Sequence, residues 1–290
     1  MKIPSIYEIK DLFFDEETTK KFITKNKINY QKMNCAKCQI EMEKNEEKYL
    51  FRCTNWKCQT TKSILANTFF SNVKIPLNKC MFLAYLWLRK TTTIESAETL
   101  QISKNSVTKY FQYFRELVSS MIQSENIKIG GKDIIVEIDE TKLARRKYNR
   151  GHRVGDVWVL VGVERTNERR VFIKVLDNRS AETLNRLIDE NVELGSIVYT
   201  DMWKGYSQVH DTLGFEHGTV NHSKCFKDKV TGVHTNTVEG TNFAIKSKIN
   251  RWCRTTKHVD SHLTEFIWRR QNNNRLWDAL IDALREIHYD

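Results

Sequence analysis

The stretch Asp133-Ile134-Ile135-Val136-Glu137-Ile138-Asp139 decides the fold. It follows a Gly130-Gly131 pair, is dominated by β-branched residues and closes on an acid. Such side chains lose rotamer freedom in a helix and pack well on a pleated surface, so the stretch is expected to be a strand with Asp139 at its terminus. Gln123 to Lys132 reads as a connector in front of it. Two further strands are expected at Asp156 to Glu164 and Arg170 to Leu176. Ala181 to Val192 reads as an amphipathic helix, with Leu184, Leu187, Ile188 and Val192 at helical spacing. Ser196-Ile197-Val198-Tyr199-Thr200-Asp201 is another strand ending in an acid. A helix around Trp203 to Leu213, a strand near Glu216 to Val220, and a helix from Asn236 to Asn250 complete the set.

Three strands, helix, strand, helix, strand, helix is the plan of an α/β fold of the ribonuclease-H-like kind. In that plan the first and fourth strands lie side by side, so Asp139 and Asp201 converge, and the late helix carries Glu239 to them in its first turn. Glu137, on the same strand face as Asp139, and the adjacent Glu140 are rivals for the first position; the terminal place favours Asp139. Three carboxylates suit phosphodiester chemistry. Hard oxygens bind magnesium or manganese, and two such ions about 4 Å apart assist both the attacking and the leaving oxygen. Asp139 is expected to bridge the ions, with Asp201 on one and Glu239 on the other.

Upstream, Cys35-Ala-Lys-Cys38 and Cys53-Thr-Asn-Trp-Lys-Cys58 flank a short alternating run, Lys48 to Arg52. Two tight cysteine pairs facing across a hairpin supply the four soft ligands of a structural zinc in a zinc ribbon; two buried or redox-active pairs are the other reading. Between this module and the strands lies a helical stretch. One helix starts near Pro76-Leu77-Asn78, a second covers Ile94 to Leu100, and a third, capped by Ser103, covers Asn105 to Met121. The turn Gln101-Ile102-Ser103 has helix-turn-helix length. It would set Lys104, Asn105, Ser106, Thr108 and Lys109 at the start of a DNA-reading helix, with Val107, Tyr110, Phe111 and Phe114 buried. An ordinary helical bundle would look similar. Four segments result: an N-terminal segment with the ribbon (1–72), a helix-turn-helix module (73–125), a catalytic domain (132–275) and a C-terminal helix (276–290).

Composition agrees with a chain that handles nucleic acid. The 290 residues carry a formal charge of +11, which favours a polyanionic partner. Apolar residues make up 40%, enough for a sizeable core. No apolar run is long enough to span a bilayer, and Met1 to Lys10 lack the apolar segment of a secretory signal. An intracellular chain with reduced cysteines is expected.

The strings Val136-Glu137-Ile138-Asp139-Glu140-Thr141, Tyr199-Thr200-Asp201-Met202-Trp203-Lys204-Gly205-Tyr206, Val220-Asn221-His222-Ser223 and His234-Thr235-Asn236-Thr237-Val238-Glu239-Gly240 resemble Merlin-type transposases and their bacterial insertion-sequence relatives with an ISXO2-like catalytic domain. His262 to Arg270 resembles a late segment of that family, and Arg145 to Gly151 its eukaryotic branch. The resemblance implies a D-D-E triad at Asp139, Asp201 and Glu239, and DNA transposition by cleavage and strand transfer. The 37 residues from Met202 to Val238 are close to the family's spacing. Double-stranded DNA, as terminal inverted repeats and as target, would be the partner of a homodimer or larger assembly. A domesticated DNA-binding descendant is the alternative. The nucleus is the expected compartment in a eukaryotic host, the cytoplasm otherwise. One departure is Gly240-Thr241-Asn242-Phe243-Ala244, where relatives often carry a tryptophan; Phe243 is expected to fill that packing role. Arg145, Arg146, Lys147, Arg150, Lys204, Lys246, Lys248, Arg251 and Arg254 are candidate phosphate contacts. His222 and His234 are candidates to flank the scissile phosphate.

Overall fold

The computed structural model describes residues 3–29, 31–125, 128–143, 157–221, 228 and 232–288. The chain forms two compact units, Met1–Met121 with Asn272–Asp290, and Ile122–Gln271.

In the first unit, helix α1 (Glu16–Lys25) starts where the Asp15 carboxylate accepts the N–H groups of Glu17 and Thr18. Strands β1 (Met42–Asn45), β2 (Leu50–Cys53) and β3 (Thr61–Ser63) make an antiparallel sheet in that order. Helix α2 (Leu77–Leu88) is buried at every position from Cys80 to Leu88, which explains its unbroken apolar sequence. Helix α3 (Thr93–Leu100) opens with a reciprocal Thr92–Glu95 capping box and ends at Gln101, in the left-handed conformation. Helix α4 (Lys104–Glu125) follows at once. Ser103 Oγ accepts the Ser106 N–H at 3.1 Å, the expected cap. Val107, Tyr110, Phe111 and Phe114 are buried, while Lys104, Asn105, Thr108 and Lys109 are exposed and Ser106 half-buried.

The last helix, Leu276–Glu286, belongs to this same unit. Its Trp277 ring lies 6.5 Å from Phe13, 6.3 Å from Phe22 and 6.2 Å from Tyr85, and Arg285 Nε donates to the Asn26 carbonyl at 2.8 Å.

The second unit is built on five strands: β4 (Ile135–Lys142), β5 (Trp158–Glu164), β6 (Val171–Leu176), β7 (Ile197–Asp201) and β8 (Glu216–Val220). Their order across the sheet is β8-β7-β4-β5-β6. The first and fourth of these strands, β4 and β7, are parallel neighbours; β5 and β6 continue the sheet antiparallel. Helix α5 (Ala181–Asn191) sets Leu184, Leu187 and Ile188 against Val136, Ile138 and Leu160 on one face. Helices α6 (Val209–Leu213), α7 (Asn236–Lys248) and α8 (Val259–Gln271) follow. On the other face α7 and α8 contribute Val238, Ile245, Leu263 and Phe266 to a core with Val159, Val161 and Val163. With both faces covered, β5 reads as an apolar run rather than an alternation.

Two expectations are corrected. Asp139 is not at the end of its strand, because β4 continues to Lys142. The antiparallel partner β5 pairs as far as Lys142 opposite Trp158, whereas the parallel partner β7 stops at Tyr199 opposite Glu137. The helix expected over Trp203 to Leu213 is broken into a 3-10 turn, Lys204–Tyr206, and the short α6. The Trp203 ring lies over Gly205 so closely that a Cβ there would sit 2.2 Å from it. No helix of the described residues is long and apolar enough to cross a membrane.

Candidate active site and cysteine cluster

The parallel register of β4 and β7 sets Glu137 opposite Tyr199, with Asp139 and Asp201 each two residues further along. Successive side chains on a strand alternate faces, and the face that carries Asp139 looks toward α7. Asn242 of that helix donates its Nδ2 to Asp139 Oδ2 at 2.8 Å. Glu239 stands three residues earlier, in the first turn, with its Oε1 3.3 Å from Thr235 Oγ1. Asp201 Oδ1 accepts the Trp203 N–H at 3.0 Å, which turns the chain sharply as it leaves β7.

Burial, followed by the negative charges of Asp201, Glu140 and Glu239, pushes the Asp139 carboxyl up to about 7. Like charges raise a carboxyl in this way at short range, so Asp201, Glu140 and Glu239 lie near it, Glu239 itself being exposed. Their ligand atoms are not all within 4.8 Å of one another, since among the described residues only a cysteine cluster meets that condition. Their oxygen-only donors are of the kind that magnesium or manganese prefers.

Both rivals of Asp139 are otherwise engaged. Glu137 is wholly buried; its Oε1 pairs with Arg165 Nε at 2.5 Å and its Oε2 accepts the N–H groups of Thr237 and Val238 at 2.7 and 3.0 Å. Glu140 points to the opposite face and pairs with Arg179 Nη2 at 3.2 Å. The Arg179 guanidinium is sandwiched between Trp158 and Trp203, 4.1 and 4.4 Å from the ring centres.

Of the basic candidates, Lys204, Lys246, Lys248 and Arg251 are exposed, and Lys246 stands two turns beyond Glu239 on the same helix. Arg254 is instead a structural tie: it donates to the carbonyls of Lys246, Ile249 and Leu143, closing the C-terminus of α7. Its expected role as a phosphate contact is corrected accordingly. His234 Nδ1 lies 2.8 Å from Arg165 Nη2, so it sits in the Glu137 ion-pair network. Phe243 is 75% exposed and packs into no core, against expectation, because it projects from the outer side of α7. Arg145, Arg146, Lys147, Arg150 and His222 lie outside the described residues. Asn242, Arg165 and Arg179 escaped the sequence reading. Only Asn242 carried a usable signal, its place three residues after Glu239 on one helical face.

In the first unit the Sγ atoms of Cys35, Cys38, Cys53 and Cys58 all lie within 4.8 Å of one another. Cys35 and Cys58 are 3.6 Å apart and Cys38 and Cys53 3.3 Å. Four sulfurs about 2.3 Å from a central zinc would be separated by just under 4 Å, so the cluster fits a tetrahedral ion. Backbone N–H groups of Cys38 and Lys37 aimed at Cys35 hold its thiol down at about 6, while burial pushes the Cys53 thiol up to about 12.

A family model described as "ISXO2-like transposase domain" matches residues 125–271, just over half of the chain. No curated protein matches. Among solved structures, the catalytic core domain of BIV integrase aligns at 16% identity and a TM-score of 0.32, covering 49% of this chain and 84% of that one. The Mos1 transposase paired-end complex with the left transposon end aligns at 13% and 0.30, covering 73% and 80%. The mariner Mos1 paired-end complex with Mg aligns at 13% and 0.30, covering 72% and 75%. At such TM-scores these likenesses add nothing to the strand order and the family match.

Proposed function

Because the chain belongs to the ISXO2-like transposase domain family, we propose that it is a DNA transposase whose catalytic residues are Asp139, Asp201 and Glu239. One observation carries the assignment: Asp139 and Asp201 each lie two residues beyond the last register pair of two parallel neighbouring strands, and Asp139 feels the charges of both Asp201 and Glu239. Two magnesium or manganese ions held by these carboxylates would supply charge neutralisation and lower the pKa of the attacking water. The protein's own residues do the rest. Asn242 fixes the rotamer of Asp139, the Trp203 N–H fixes Asp201, and Thr235 braces Glu239. Water attacks a phosphodiester at phosphorus and a 3′ oxygen leaves as a free hydroxyl. That hydroxyl then attacks a phosphodiester of target DNA, forming the new P–O bond as the target's own 3′ oxygen departs.

The cysteine cluster would hold a structural zinc, leaving no open position for chemistry. With α3 and α4, whose exposed Lys104, Asn105, Thr108 and Lys109 and half-buried Ser106 begin the second helix, it forms the candidate reader of the terminal inverted repeats. Arg145, Arg146, Lys147 and Lys246 are assigned to phosphate contacts near the reacting strand. Two ends must be processed together, which a homodimer or larger assembly on DNA provides, in the nucleus of a eukaryotic host or the cytoplasm of a bacterial one.

The test uses purified full-length protein and DNA carrying the inverted repeats that flank its gene. Magnesium- or manganese-dependent cleavage and joining is expected. Asp139→Ala, Asp201→Ala and Glu239→Ala should each abolish both while leaving DNA binding intact. Full metal-dependent activity in any of the three would refute the assignment.

A further inference from the structure

Helix α7 carries Glu239, yet its own N-cap residue, Thr235, makes no side-chain bond to the first-turn N–H groups. Those groups would be unsatisfied in a buried place, since Thr235 is 2% exposed and Val238 wholly buried. Glu137, a hundred residues earlier in the chain, takes over the capping role: its Oε2 accepts the N–H groups of both Thr237 and Val238. The carboxylate also meets the positive end of the helix dipole. Its other oxygen holds Arg165, whose Nη2 bonds the His234 carbonyl at 2.8 Å, tethering the segment that leads into the helix. Arg165 is anchored in turn, its N–H on the Ile135 carbonyl at 2.8 Å and its guanidinium 5.0 Å from the Tyr199 ring centre.

This clamp sits one strand repeat from the reacting carboxylate. Glu137 and Asp139 are two residues apart on one face of β4, about 6.6 Å along the strand. Their partners on the helix, Val238 and Asn242, are four residues apart, about 6 Å along its axis. The two spacings match, so α7 lies along β4 with Val238 on Glu137 and Asn242 on Asp139. Glu239 is the residue immediately after the first anchor. A slip of the helix by one residue would carry its carboxylate about 1.5 Å along the axis and about 100° around it.

We propose that Glu137 is a positioning residue for the catalytic centre: by capping α7 from the neighbouring strand it fixes Glu239 in register with Asp139. This rests on the triad reading above and adds the part that sets its geometry. Misplacement on the ångström scale costs about a hundredfold in rate even where binding is untouched.

The experiment is on the full chain. Glu137→Gln keeps the size of the side chain but loses the Arg165 ion pair and one of its acceptor sites. Single-turnover cleavage should fall by about a hundredfold, with the Kd for transposon-end DNA unchanged and a higher manganese concentration needed for half-maximal rate. In hydrogen exchange, the amides of Thr237 and Val238 should be protected in the wild type and exchange at least tenfold faster in the variant. The cysteine-containing sheet should keep its wild-type exchange. Wild-type cleavage and metal requirement in a folded Glu137→Gln protein would overturn the proposal. So would Thr237 and Val238 exchanging as freely as exposed amides in the wild type, a measurement that needs no variant. Absence of metal-dependent cleavage in the wild type would count against the transposase reading, and the exchange data would then judge the clamp alone.

Discussion

Replacing Asp139 by Asn should destroy cleavage and, in the same molecule, strengthen the metal-free fold. The carboxyl, ordinarily ionising near 3.8, is pushed up to about 7 by burial and by Asp201, Glu140 and Glu239. The sign follows from proton binding. Between pH 3.8 and pH 7 the folded state holds a proton that the unfolded chain has released, so stability falls as pH rises through that window and stays low above it. Each pH unit in the window costs about 1.4 kcal/mol, giving a loss of about 4 kcal/mol at pH 8 and about 2 kcal/mol at pH 5.5. Asn carries no charge and can still accept the Asn242 amide, so it removes the loss without removing the bond. Urea unfolding in EDTA should therefore show Asp139→Asn more stable than the wild type by a few kcal/mol at pH 8, with the advantage about halved at pH 5.5. Added magnesium should narrow the gap, because only the wild type gains by binding it. A variant no more stable than the wild type at pH 8, or an advantage that does not shrink on acidification, would refute the reasoning.

Cys35→Ser removes one of four clustered sulfurs; the wild type should contain one zinc per chain by metal analysis and the variant should lose it to a mild chelator, with weaker binding to transposon ends. Wild-type protein free of zinc would end that reading. Glu164 is buried, and although burial raises its pKa, bonds from Arg170, Thr166 and the Gly130 N–H outweigh that and hold it below 4.5. Its contribution is present above pH 4.5 and fades as pH falls through the lowered value. Glu164→Gln should thus cost about 1–3 kcal/mol at pH 7 and progressively less as pH falls below 4.5 in acid-denaturation curves; a gap independent of pH would show that the charge is not responsible.

The sheet and its carboxylates were legible because local signals agreed with the tertiary outcome. β-branched runs mark β4 and β7, and each strand carries an aspartate two residues beyond their last paired residues, Glu137 and Tyr199. What escaped depends on contacts far apart in sequence. Whether Asp139 ends its strand turns on which neighbour keeps pairing, and β5 outlasts β7. Glu137 looked like a spare ligand because nothing local reveals that a helix a hundred residues later will need a cap. Arg254 looked like a free cation for the same reason, its carbonyl partners being reached only when α7 has ended. Phe243 was misplaced because an aromatic residue is expected inside, a rule that fails on the outer side of a helix.

The last helix has a consequence for how the chain is made. Leu276–Glu286 supplies Trp277 to a cluster begun by Phe13, Phe22 and Tyr85, while Ile122–Gln271 forms a unit of its own in between. On a ribosome adding about 5–20 residues per second, the pieces of that aromatic cluster emerge roughly ten to fifty seconds apart. The catalytic unit is contiguous and free to fold as it is synthesised. The unit with the cysteines must instead wait, its apolar surface incomplete, until translation delivers the helix that closes it.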